Sequence, residues 1–100
     1  MFQQLQFTEG VEFDWNRANK GKNKKHQVED SESEEVFFDS NKVLRPDPLH
    51  SGSEQRYILV GMTKKQRLLF VAFTLRGKKV RVISARDLNR RERGLYEKTT

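Results

Sequence analysis

The chain has two histidines, His26 and His50. Imidazole is the only side chain whose unperturbed pKa lies near neutrality, so these two are the first candidates for moving protons. His50 sits in Asp47-Pro48-Leu49-His50-Ser51-Gly52, turn chemistry throughout, where packing into a core is the weaker explanation. His26 follows Lys25 and reads equally as a site group, a helix-terminal cap or a packed histidine. Glu54 and Arg56 alternate about Gln55 and share one face of a strand, as Lys79 and Arg81 do on another. Carboxylate beside guanidinium has two readings: proton transfer next to cations that hold a phosphate, or a cross-strand ion pair. Arg81 is the sharper case, since it interrupts Val80, Val82 and Ile83 in mid-strand, where a solvated arginine would also serve. Arg76 begins a turn beside Gly77 and Arg86 ends a strand; each can clamp phosphate or stay exposed.

The charge pattern favours an anionic partner. Lys and Arg number 20 against 14 Asp and Glu, a net charge of +6. From Arg17 to Lys25 every charge is positive, and from Glu29 to Asp39 every charge is negative. The stretch from Arg76 to Lys98, which includes Arg90, Arg91 and Arg93, carries an excess of positive charge equal to that of the whole chain. Nucleic acid is the commonest partner for such a concentration, a solvated surface or an acidic protein the alternatives. With 100 residues and no cysteine, disulfides, thiolate chemistry and Cys-type zinc sites are excluded, and a shallow surface site is expected. No metal framework is evident and no cofactor is implied. The N-terminus lacks the basic and apolar regions of a secretion signal, and no apolar run approaches a membrane span, so a cytoplasmic protein without membrane contact is expected.

Positioning these groups requires α+β elements. Residues 10–15, with Val11, Phe13 and Trp15 alternating with acids, predict a first strand. Asn16–His26 and Glu29–Phe38 predict two helices, the second capped at Asp30 or Ser31. Val43–Arg45 predicts a short strand ending at Pro46, and Arg56–Gly61, Arg67–Leu75 and Lys79–Ser84 an antiparallel meander. Ser84-Ala85-Arg86-Asp87 resembles a capping box opening a last helix with Leu88, Leu95 and Tyr96 on one side. The expected fold is one domain, 1–100, with an antiparallel sheet of about four strands, two helices near the N-terminus and one at the C-terminus; 1–9 and 98–100 are expected to be flexible. Trp15 can stack on a base, although its alternation with Val11 and Phe13 fits packing better.

Several motifs occur together: Lys25-His26-Gln27-Val28, Glu34-Glu35-Val36-Phe37-Phe38, Asp47-x-x-His50, Glu54-x-Arg56, Gly61, Thr74-x-Arg76, Arg81-Val82-Ile83-Ser84-Ala85-Arg86 and Arg91-Glu92-x-x-x-Tyr96. In this order and spacing they resemble BrnT proteins across residues 11–97. Gln27 departs from the glycine usual after the Lys-His pair, and Ser33 stands where a small apolar residue is commoner. The resemblance implies a RelE-like fold, ribonuclease activity, neutralisation by a cognate BrnA-like antitoxin in a heterotetramer, and operator DNA contacted only through the antitoxin. It also implies that lysines and arginines weigh as heavily as histidines. RNA cleavage without metal uses the neighbouring 2′-hydroxyl as nucleophile and needs a base, an acid and cations for the phosphorane. His50, Arg81, Glu54, Arg56, His26 and Lys25 are the candidates for those roles, with Arg76, Arg86, Arg90, Arg91 and Trp15 expected to bind RNA. The alternatives are a nucleic-acid-binding module without catalysis, or a protein-interaction subunit in which the acidic helix meets a partner.

Overall fold

The computed structural model describes residues 11–99. The expected flexible segment 1–9 lies outside these residues, as does Thr100. The strands are β1 (Glu12–Phe13), β2 (Val43–Pro46), β3 (Arg56–Met62), β4 (Leu68–Arg76) and β5 (Lys79–Asp87), and the helices α1 (Asp30–Glu35) and α2 (Arg90–Thr99). One five-stranded sheet runs β1-β5-β4-β3-β2.

The meander β3–β4–β5 follows the β-branched and aromatic runs. Gly77, at φ 62°, takes the left-handed conformation that the tight β4–β5 turn requires. β2 joins the far edge antiparallel to β3, with Pro46 opposite Tyr57, where a missing N–H costs no central ladder bond. The sheet is mixed, not purely antiparallel, because β1 pairs parallel with β5, Phe13 opposite Val80. No hairpin joins these two strands, so turn geometry does not impose an antiparallel pairing. Phe13 thereby meets Phe37 edge-on with ring centroids 5.3 Å apart.

The predicted helix at Asn16–His26 is instead a series of turns ending in a single 3-10 turn, Lys22–His26. Its asparagines bond to backbone and so compete with a helix. Asn16 Oδ1 accepts from the N–H of Ala18, Asn19 Nδ2 donates to the carbonyls of Asp14 and Val82, and Asn23 Oδ1 accepts from the N–H of Ala85. The last two contacts satisfy β5 beyond the end of β1, so the segment closes a sheet edge. Gln27 ends the 3-10 turn at φ 62°, in the left-handed region that glycine occupies most readily.

The acidic segment forms α1 and then a 3-10 turn, Val36–Phe38. Its cap is Glu29, not Asp30 or Ser31: Glu32 Oε1 accepts from the Glu29 N–H at 2.9 Å. Asp30 is occupied by the N–H of Gly21. Ser84–Asp87 does not open the last helix either. Pairing of Phe70 with Arg86 and Leu69 with Asp87 keeps these residues in β5. The cap lies further on, where Asn89 Oδ1 accepts from the Glu92 N–H and Glu92 Oε1 from the Asn89 N–H.

Both sheet faces carry apolar clusters. On one, Leu59, Leu69, Val71, Phe73, Val80, Val82 and Ala85 pack with Val28, Val36 and Phe37. Gly61 lies on this face because a Cβ there would sit 2.9 Å from the Val36 carbonyl oxygen. On the other, Val60 packs with Leu88 and Tyr96, joined by Val43, Ile58, Met62, Leu68 and Phe70. Tyr96 also donates a 2.7 Å hydrogen bond to Asp39 Oδ2, which fixes α2 against the residue that ends the Val36–Phe38 turn. The result is a small α+β domain, with α2 covering part of the second face.

Candidate nucleic-acid interface

A break in strand register sets the chemistry of the second face. Ala72 pairs with Ser84 but the next residue, Phe73, pairs with Val82, so Ile83 is an extra residue in β5. Such a bulge reverses the side-chain alternation beyond it. Val82 and Ala85 therefore both reach the first core, and Arg81 and Arg86, odd and even in number, share the opposite face. Across three strands Arg56, Thr74 and Arg81 form one row, and Ile58, Ala72 and Ser84 the next.

Two adjoining clefts open on this face. The larger, about 680 Å³, has Ile58, Phe70, Ala72 and Ile83 at its floor and Asp47, Leu49, His50, Arg56, Ser84, Arg86, Arg91 and Glu92 around them. The smaller, about 200 Å³, is lined by Ala18, Asn19, Glu54, Arg56, Thr74, Arg76, Arg81, Val82 and Ile83. Arg56 and Ile83 border both. The structure thus gathers seven of the sequence candidates: His50, Glu54, Arg56, Arg76, Arg81, Arg86 and Arg91.

His50 stands on a short 3-10 turn, Pro48–His50, preset by Pro48. Its Nδ1 lies 3.0 Å from Asp47 Oδ2 and its side chain is 69% exposed. A carboxylate only accepts, so Nδ1 carries the proton and Nε2 is left for other partners. The loop is braced from within: Ser51 Oγ donates to the Asp47 carbonyl and accepts from the Arg56 N–H, and the Asp47 N–H donates to the Arg56 carbonyl. The turn that presents His50 is hence tied to the first residue of β3.

The arginines differ in how they are engaged. Arg86 makes a bidentate pair with Glu92, both contacts 2.8 Å, and lies 4.2 Å over the Phe70 ring. Burial is the largest influence on Glu92 and disfavours its charge, but the Arg86 bond, the Asn89 N–H bond and the Arg86 charge together outweigh it and hold the carboxyl below its ordinary value. Glu54 lies in the bend before β3 rather than on the strand expected to carry it beside Arg56; it pairs with Arg76 at the end of β4 at 2.8 Å, and that hydrogen bond lowers the Glu54 pKa. Arg81 is 9% exposed rather than solvated. Its Nη2 donates to Asn16 Oδ1, while Nη1 has only a 3.6 Å ion pair with Asp14 and no hydrogen bond. Among the described residues the guanidinium groups of Arg56 and Arg91 make no hydrogen bond or ion pair.

The remaining candidates lie elsewhere. Lys25 and His26 are exposed on the 3-10 turn beside the β5 edge and line neither cleft; the His26 carbonyl accepts from Arg67. Trp15 packs on the first core and donates from Nε1 to Glu34 Oε2 at 2.6 Å. Arg90 is exposed at the start of α2 and lines neither cleft. Sequence reasoning missed Asp47 and Leu49 as cleft residues. The spacing Asp47-x-x-His50, one turn of a 3-10 helix, was the available signal for the first. No group of three or more His, Asp or Glu side chains able to hold a metal forms among the described residues.

Residues 15–92 match the model of a family described as ribonuclease toxin, BrnT, of type II toxin-antitoxin system. No curated protein is matched. The matched span runs from Trp15 through the bulged strand to Glu92, and includes both clefts with all seven gathered residues. This chain therefore belongs to the BrnT family of ribonuclease toxins of type II toxin-antitoxin systems.

Proposed function

We propose that this chain is an endoribonuclease that cleaves RNA by transphosphorylation without a metal, at the paired clefts of the second sheet face. The observation that carries this reading is the company of His50. Its ring, held through Nδ1 by Asp47, shares a cleft with Arg56 and Arg91, cations that no described carboxylate pairs with. In the proposed reaction the 2′-hydroxyl oxygen attacks the neighbouring phosphorus, its proton passes to a base, the bond to the 5′-oxygen breaks, and that oxygen receives a proton from an acid. His50 Nε2 serves as one of the two groups. Glu54, which lines the adjoining cleft, is the carboxylate candidate for the other, although its bond to Arg76 makes it a weaker base. Arg56, Arg91 and Arg76 supply positive charge to the phosphorane, and Arg81 holds the floor of the smaller cleft.

Family membership brings a cognate antitoxin as partner. We infer that the antitoxin is BrnA-like, that toxin and antitoxin assemble as a heterotetramer in the cytoplasm, and that operator DNA is reached through the antitoxin alone. No helix of the described residues is long and apolar enough to cross a membrane. Incubation of the purified chain with single-stranded RNA in EDTA tests the enzyme reading. Fragments ending in 2′,3′-cyclic phosphate and beginning with 5′-hydroxyl are expected. Binding that weakens steeply with salt, without cleavage, would replace it with a binding module.

A further inference from the structure

The two clefts differ in size and chemistry more than two phosphate sites should. The smaller is polar and carries three arginines; the larger is floored by Ile58, Phe70, Ala72 and Ile83. An apolar floor gives nothing to a phosphate. A volume of about 680 Å³ falls in the range of pockets for small organic ligands, roughly 300–1,000 Å³. At its rim stands Leu49, 90% exposed, on the same 3-10 turn as His50. The turn buries no residue, so the placement of Leu49 is not explained by packing within the domain. Across the cleft the Arg86 guanidinium is fixed on both sides, by two bonds to Glu92 and by the Phe70 ring beneath it. A planar group so held is a stacking platform for a flat ligand.

Resting on the ribonuclease reading, we propose that the larger cleft is a nucleobase pocket. It takes the base of an unpaired nucleotide, laid on the apolar floor and closed by Leu49, while the adjoining phosphate faces Arg56 and the smaller cleft. Arg56 borders both clefts and thus stands where base and phosphate meet. The unpaired Arg56 and Arg91 make the rim complementary to a polyanion rather than to an apolar peptide. The pocket requires a base that is out of its stack, so paired RNA is a poor ligand.

Binding to strands that cannot be cut tests the pocket separately from the chemistry. A 2′-O-methyl oligonucleotide lacks the nucleophile, and an abasic 2′-O-methyl strand of the same length keeps the phosphates alone. Fluorescence anisotropy at fixed salt is expected to show the abasic strand binding roughly 10-fold or more weakly to the native chain, the scale of one lost base stack. In Leu49→Ala, whose removed atoms are almost wholly exposed, the difference between the strands should shrink. Equal binding of the two strands by the native chain overturns the proposal. So does a Leu49→Ala protein whose preference for the strand with bases equals the native one, or one that loses only antitoxin affinity. Absence of RNA cleavage with the base preference intact would sink the enzyme reading and leave the pocket standing.

Discussion

The His50 ring is held by Asp47 through Nδ1, at 3.1 and 3.0 Å from the two carboxylate oxygens, so its other nitrogen faces away from the acid that holds it. An exposed pair of this kind adds little to stability, and its value lies in orientation. Removing His50 should therefore lower the cleavage rate by about 10²- to 10⁴-fold, as expected for a general acid or base, with an unchanged melting temperature. Asp47→Ala should reduce kcat by roughly 10-fold or more while KM stays, because the ring remains but is no longer held. Steady-state kinetics on a short RNA gives both numbers. An Asp47→Ala protein that cuts at the native rate would show that the contact is incidental.

Arg56 and Arg91 line the larger cleft and make no ion pair with a carboxylate among the described residues, so replacing them should leave the fold alone and alter RNA binding. For single strands the logarithm of affinity falls with the logarithm of salt by about 0.7 for each phosphate neutralised. Arg56→Ala and Arg91→Ala should each flatten that slope by about 0.7, and the double variant by about twice that. Arg90→Ala, on a residue outside both clefts, is the control and should change the slope less. Slopes equal to that of the native chain in all four variants would move the RNA off this face.

How far these positions could be read in advance depended on the kind of interaction that fixes them. The meander was legible because β-branched and aromatic runs separated by Gly61–Gln66 and by Arg76-Gly77-Lys78 leave few other pairings. The motif set placed the family for the same reason, since it samples the strands and loop that form the clefts. The bulge at Ile83 was not legible: adjacent apolar residues such as Val82 and Ile83 also suit a strand covered on both faces, and only the demand that Val82 and Ala85 reach one core reveals the extra residue. The helix expected at Asn16–His26 did not form because its asparagines found backbone partners on β5, a tertiary contact that no local rule contains. His26 and His50 looked alike by chemistry. The fold separated them, one on the β5 edge strip and one at the mouth of the cleft.

Glu92 has two structural duties, bonding Arg86 through both oxygens and returning a bond to the Asn89 N–H at the start of α2. Its carboxyl titrates below the ordinary 4.5, despite burial that works the other way, because the charged form holds those bonds. The stabilisation is thus present above the unfolded-state pKa and is lost as pH falls through the lower folded-state value. Glu54 and Asp87, lowered chiefly by hydrogen bonds from Arg76 and Arg67, act in the same direction. Thermal unfolding followed by circular dichroism should show the melting temperature flat from pH 7 to about 5 and falling below about 4.5. Glu92→Ala should cost about 1–2 kcal/mol at neutral pH, on the scale of a lost helix cap, and make the acid decline shallower. An acid profile identical to the native one would mean that this carboxylate does not contribute to the linkage.

Arg81 calls for a different experiment, because it is both a lining residue of the smaller cleft and a buried tie. Its guanidinium joins the central sheet to the N-terminal strip through Asn16 and Asp14, the strip that also closes the β5 edge. Arg81→Ala would leave Asp14 beside a void where its cation had been and loosen that edge, costing about 3 kcal/mol if the pair behaves as other buried pairs do when one partner is removed. Loss of cleavage in that variant alone would therefore say little about RNA. Asp14→Asn separates the two duties, since it removes the charge that holds Arg81 while leaving a group of similar shape. If Arg81 acts mainly on the fold, both variants should melt earlier and lose activity in proportion to the unfolded fraction. If it also meets the scissile phosphate, Asp14→Asn should melt earlier yet bind RNA at least as tightly at low temperature, because the arginine is freed toward the cleft. Measuring melting temperature and RNA affinity on the same three proteins distinguishes these outcomes; weaker binding by Asp14→Asn at a temperature where it is fully folded would rule out the second role.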